Sequence, residues 1–90
     1  MGSLADYQAA VRLNLGIGLA KAGRSSDALA EYQAALRLQP DYADTHINLG
    51  IALANAGRVA EGLDHLEAAY RLKPDPELKQ TIDRLRAGPH

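Results

Sequence analysis

Cysteine is absent from the 90-residue chain, which removes disulfides, thiolate metal ligands and thiol nucleophiles while leaving the compartment open. Tryptophan and phenylalanine are absent too, and the four aromatic residues are all tyrosine. The core must therefore come from Leu, Ile and Ala, which suits close helix-on-helix packing better than a sheet sandwich. Neither sign of charge dominates: Lys plus Arg number 10 against 11 for Asp plus Glu. A broad basic field of the kind that holds phosphate backbones or anionic membranes is missing, so nucleic acid and membrane are not expected partners. No run approaches the ~20 apolar residues that span a bilayer, and no basic segment leads an apolar one at the start. A soluble protein is expected, with the cytoplasm as the default compartment. Met1-Gly2-Ser3 reads as an expression-tag remnant without structural weight.

The signatures of catalysis are also missing. There is no G-x-S-x-G, no H-E-x-x-H and no G-x-x-x-x-G-K-[ST]. His46, His65 and His90 are scattered, with no pair at four-residue spacing to converge on a metal. Asp27, Glu31, Glu61, Asp64 and Glu67 read as solvated helix faces, because paired carboxylates for acid and base work need a cleft that desolvates one of them. The chain is expected to be no enzyme and to hold no metal and no cofactor.

What is present is a repeat. Residues 9–42 laid over 43–76 give 17 identities in 34 positions, among them Asn14/Asn48, Leu15/Leu49, Gly16/Gly50, Ala22-Gly23-Arg24 over Ala56-Gly57-Arg58, and Pro40-Asp41 over Pro74-Asp75. Within each unit apolar residues recur at helical spacing, as in Leu15, Leu19, Ala22 and Leu29, Tyr32, Leu36, so each unit reads as a hairpin of two amphipathic helices. Gly23 and Gly57 stand where a first helix must stop, and Ser25-Ser26-Asp27 offers caps for the next helix. Pro40 and Pro74 end the second helices, after which Asp41 can cap the following one.

These residues resemble the tetratricopeptide repeat family. Its pattern W-x2-L-G-x2-Y, A-x3-F, a small residue and a proline is met by Leu15-Gly16-x2-Leu19, Ala28-x3-Tyr32, Ala35 and Pro40. The second copy supplies Leu49-Gly50-x2-Leu53, Gly62-x3-Leu66, Ala69 and Pro74. Arg12 and His46 depart from the pattern in the tryptophan slot, and Gly62 replaces alanine at a cost of ~1 kcal/mol if exposed. The implied fold is an all-α helix-turn-helix repeat solenoid of about five antiparallel helices. Gly16 and Gly50 should let paired helices approach, with Ala28 or Gly62 facing them and Leu15, Leu19, Leu49 and Leu53 filling the layer between.

The ends extend the two repeats. Asp75-Pro76-Glu77 opens a helix over 77–87 whose stripe Leu78, Ile82, Leu85 suits a cap on the last hairpin, with 88–90 as a tail. At the front, Leu4 to Leu13 (LADYQAAVRL) matches Leu29 to Leu38 (LAEYQAALRL) at eight of ten positions, yet runs without a turn into first-helix sequence. One long helix from Leu4 to about Ala22 is expected. Either such likeness is the common coin of helix-rich repeats, or this is a fused helix that a second copy covers by exchange.

The resemblance implies a role for Asn14 and Asn48, since asparagines at this place in the family form a ladder on the main chain of an extended peptide. Helical spacing sets Leu13, Ile17 and Lys21, with Ala10, beside Asn14, and Asp44, Ile47, Ile51 and Asn55 beside Asn48. Family members that grip a terminal carboxylate use cations here, but Ala10, Leu13, Ile17 and Asp44 stand in those places, so no carboxylate clamp is expected. The implied function is a protein-interaction module that binds an extended or helical polypeptide in a concave groove. Self-assembly as a homo-oligomer, or descent from a longer array by excision or engineering, stand as alternatives.

Overall fold

A computed structural model describes residues 2–88, which form five helices and, among these residues, no strand. They are α1 (Leu4–Lys21), α2 (Ser25–Leu38), α3 (Ala43–Asn55), α4 (Val59–Leu72) and α5 (Pro76–Ala87). Each helix packs principally on its neighbours in the chain, α1 on α2, α2 on α3, α3 on α4 and α4 on α5. The result is a short solenoid of 43 × 29 × 17 Å rather than a ball, with α1, α3 and α5 along one side and α2 and α4 along the other. No helix is long and apolar enough to cross a membrane among the described residues.

The turns inside the hairpins form for the reason the glycines suggest. Gly23 and Gly57 take φ of 81° and 87°, where a side chain is strained. Around each, a backbone N–H reaches back to the last turn: Arg24 to the carbonyl of Leu19 at 2.8 Å and Gly23 to Ala20 at 3.1 Å, repeated as Arg58 to Leu53 and Gly57 to Ala54. This paired closure satisfies carbonyls that the helix end leaves open.

The caps differ from expectation. Ser25 and Asp27 lie inside α2, whose N-cap is Arg24, and neither α2 nor α4 has a side-chain cap. The acidic residue three positions on instead receives the arginine: Arg24 Nε donates to Asp27 at 2.9 Å, and Arg58 forms a two-pronged pair with Glu61 at 2.8 and 2.7 Å. Asp41 does not cap α3, which starts after Tyr42. Ser3 carries weight after all. Its hydroxyl accepts from Asp6 N–H at 3.2 Å while its own N–H donates to the Asp6 carboxylate at 2.9 Å, a reciprocal box that starts α1. Asp75 caps α5 through Glu77 N–H at 2.9 Å, and Gly88 closes it. The rest of the 88–90 tail lies outside the described residues.

Glycine also permits the closest helix contacts. A Cβ on Gly16 would fall 2.6 Å from the Tyr32 ring, and one on Gly50 2.8 Å from the Gly62 carbonyl oxygen. Gly62 is not an exposed weakness, because it is buried and its own Cβ would meet Gly50 O at 2.5 Å. Two core clusters result. The first joins Ala9, Leu13, Ala28, Tyr32 and Ala35 to Leu49 and Leu53; the second joins Leu66 and Ala69 to Leu78 and Ile82. Leu15 does not fill the layer between helices: it points away from α2 and is 47% exposed, whereas its counterpart Leu49 is 2% exposed. The long α1 packs on α2 of its own chain.

Candidate functional site

Along the side formed by α1, α3 and α5, the residues singled out in the sequence divide into two groups. Asn14, Lys21, Asp44, Ile51 and Asn55 are exposed, and Ile17, Asn48 and Ala10 are half-buried. Leu13 is not a surface contact, since it belongs to the first core cluster, and Ile47 packs against the second. Both support the surface from below. The amide of Asn48 donates to the carbonyl of Asp44, one turn earlier in α3, at 2.8 Å. That bond holds the side chain along its own helix and leaves an amide oxygen and one N–H for another group.

A depression of about 420 Å³ opens between α3 and α5, lined by Ile51, Ala54 and Asn55 on one wall and Thr81, Arg84 and Leu85 on the other. The α5 wall was not singled out in the sequence, because the stripe that buries Leu78 and Ile82 does not reveal which neighbouring face looks at α3. Arg84 is set in place by a 3.2 Å hydrogen bond to the Thr81 hydroxyl, which in turn donates to Glu77 O at 3.2 Å. A cation therefore stands on that wall beside the Thr81 hydroxyl and the apolar Leu85. A second depression of about 550 Å³ sits at the opposite end, between Asp6, Tyr7 and Ala10 of α1 and Gln39, Asp41 and Tyr42 after α2. Asp6 accepts from the Gln39 side-chain amide there, and its carboxyl is held below the ordinary range by the Ser3 N–H bond first and the Gln39 bond second.

The tryptophan slot of the repeat is polar in both copies, and each copy resolves it by a pair across the hairpin. Arg12 meets Glu31 at 3.0 Å in the first. In the second, 34 residues on, His46 meets His65, with Nδ1 atoms 3.1 Å apart and rings stacked at 5.3 Å. His46 Nε2 lies 2.8 Å from the carbonyl of Pro40, so that nitrogen must carry a proton to donate. In neutral His46 the Nδ1 is then the acceptor, and His65 supplies the Nδ1–H. Burial first, and the charge of His46 second, hold the His65 pKa below its ordinary value of 6.5. No local spacing reveals this meeting, because the two residues are on different helices. His90 lies outside the described residues. Among the described residues no group of three or more His, Asp or Glu is arranged to hold a metal.

Helical hairpins that repeat at a fixed 34-residue period and pack neighbour on neighbour define a helical-repeat solenoid. The chain belongs to the tetratricopeptide repeat family, whose model matches residues 13–76 and so spans both hairpins. Repeats of this family generally mediate protein–protein interaction, and its domains are typically non-catalytic scaffold modules. No curated protein matches the chain at a significant level.

Proposed function

We propose that the chain binds an extended segment of another protein along the surface of α1, α3 and α5. Asn14 and Asn48 would engage the ligand's main chain, with apolar contact from Ile17 and Ile51 and the floor held by Leu13 and Ile47. The observation that carries this reading is the depression between α3 and α5, which Ile51, Ala54 and Leu85 line together with the polar side chains of Asn55, Thr81 and Arg84. An apolar floor with a few placed polar groups is what a peptide site requires. Lys21, Asp44 and Arg84 add single charges of both signs, which suits a ligand of mixed rather than uniform charge. The asparagine amide, with donors and an acceptor, can pair with peptide groups whatever side chains they carry. Affinity for a short peptide would be modest, because ordering an extended segment costs several kcal/mol of the gross interaction energy.

Selection from a displayed library of random 12-residue peptides, followed by anisotropy titration of the enriched peptides, tests this. The double variant Asn14→Ala/Asn48→Ala should weaken binding at least about tenfold with helicity unchanged, since each lost hydrogen bond contributes ~1 kcal/mol and 1.4 kcal/mol is tenfold. Undiminished binding, or a library that enriches nothing, would contradict it.

A further inference from the structure

The outer face of α1 has a counterpart inside the same molecule. On α3 that face is Thr45, Leu49 and Ala52; the first two are buried, and Ala52 packs on the first core cluster. What covers it is α2. The two helices run antiparallel through the connection at 39–42, with Leu38 and Ala43 at its ends. Counting back from those ends brings Leu36 level with Thr45, Tyr32 with Leu49, and Leu29 with Ala52. Tyr32, Leu49, Leu29 and Ala52 all lie in one cluster.

Both halves of that interface recur on α1. Thirty-four residues before Thr45, Leu49 and Ala52 stand Val11, Leu15 and Gly18; twenty-five before Leu29, Tyr32 and Leu36 stand Leu4, Tyr7 and Val11. At 100° per residue all five fall on one stripe, turned away from the Ala9, Leu13 and Gly16 face that packs on α2. Leu4, Tyr7 and Val11 are 72%, 66% and 65% exposed, and a Cβ on Gly18 would meet nothing within 4 Å. With apolar residues on opposite sides, α1 has almost no amphipathic character, the pattern of a helix covered on both. A continuous helix cannot fold onto itself, so only a second molecule can bring the two halves together.

We propose that two copies of this chain dock through the outer faces of α1, antiparallel about a two-fold axis at Val11. The register repeats that of α2 on α3. Tyr7 of each copy then lies level with Leu15 of the other, as Tyr32 lies level with Leu49 within one cluster, and Leu4 lies level with Gly18, as Leu29 does with Ala52. No charged residue stands in the stripe, and Arg12 at its edge is held by Glu31 in its own chain. The other end of the solenoid cannot take this place. The exposed residues of α5 include Glu77, Lys79, Gln80, Asp83, Arg84 and Arg86, and Lys79 and Asp83 pair there at 3.2 Å. Stacking head to tail would desolvate those charges against an apolar surface, so the contact closes as a dimer instead of growing into a filament.

Sedimentation velocity from about 1 μM to 1 mM, with cysteine cross-linking, tests the proposal. A species of twice the 9.6 kDa chain mass is expected to grow in with concentration. Leu15→Glu and, separately, Val11→Lys should leave a monomer with unchanged helicity, because both positions are exposed in the single chain. In a chain with no cysteine of its own, Val11→Cys should oxidise to a linked dimer. Tyr7→Cys mixed with Leu15→Cys should couple to each other faster than either couples to itself. A monomer across the whole range, a dimer that survives both charge substitutions, or cross-linking of Val11→Cys no faster than of an Asp64→Cys control would overturn it.

Discussion

Leu15 and Leu49 hold the same place in successive repeats, 34 residues apart, yet Leu49 is sealed in the core and Leu15 lies on the outside. The difference is what stands in front of each. Leu49 has α2 packed against its helix, and no helix among the described residues covers Leu15. Leu49→Ala should therefore destabilise by about 2–5 kcal/mol, the usual range for a buried leucine. Leu15→Ala should cost about 0.5 kcal/mol or less at low micromolar concentration. Urea titrations of both variants check this, and the cost of Leu15→Ala should rise with protein concentration as docking adds to stability.

Thr45 is fully buried, and its hydroxyl finds no hydrogen-bond partner among the described residues. The equivalent residue in the first repeat is Val11, which has the same shape without the polar atom. Thr45→Val removes an unsatisfied group at nearly constant volume and should stabilise by ~1 kcal/mol. For a chain of this size that is a rise in melting temperature of about 4–8 °C, read by circular dichroism.

Two glycines inside helices should respond to alanine with opposite signs. At Gly18 there is open space, and helix propensity favours alanine by ~1 kcal/mol. At Gly62 the new methyl would press on the backbone of α3, at Gly50 O and Ala54 N, which cannot swing aside. Gly18→Ala should raise the melting temperature and Gly62→Ala lower it, despite identical chemistry.

Acid should loosen the second hairpin before it affects most carboxylates. The His65 pKa lies below its ordinary 6.5 when folded, so the unfolded chain takes up the proton first. The stability this contributes is complete above pH 6.5 and is lost as pH falls from there through the folded pKa. Melting temperature should fall between pH 7 and pH 5, and His65→Gln should flatten that slope. Asp6 and Glu61, whose pKa values are lowered by their partners, act only at lower pH.

Much of this architecture was legible because its punctuation is local. Gly23 and Gly57 act through their own φ, Pro40 and Pro74 through their own missing N–H, and the 34-residue period aligns them. What local pattern cannot carry is the neighbour. Leu15 and Leu49 are identical in sequence context, so equivalence alone would bury both. Leu13 sits at the right spacing for the groove, but the turn of α1 carries it under the surface. His46 and His65 meet only because the hairpin closes, and Arg84 joins the α3 wall only because α5 lies across from it. Composition does not fix the first helical residue either: α2 starts directly after Gly23-Arg24, so Ser25 to Asp27 fall inside its first turn, and α3 starts after Tyr42, not at Asp41.

The binding surface is tested most directly by two-dimensional NMR of the 15N-labelled chain titrated with a peptide enriched from the random library. Shifts are expected to gather at Asn14, Asn48, Ile51, Asn55 and the Arg84 side of α5. Shifts gathered instead on α2 and α4, with Asn48 and Ile51 unmoved, would contradict it.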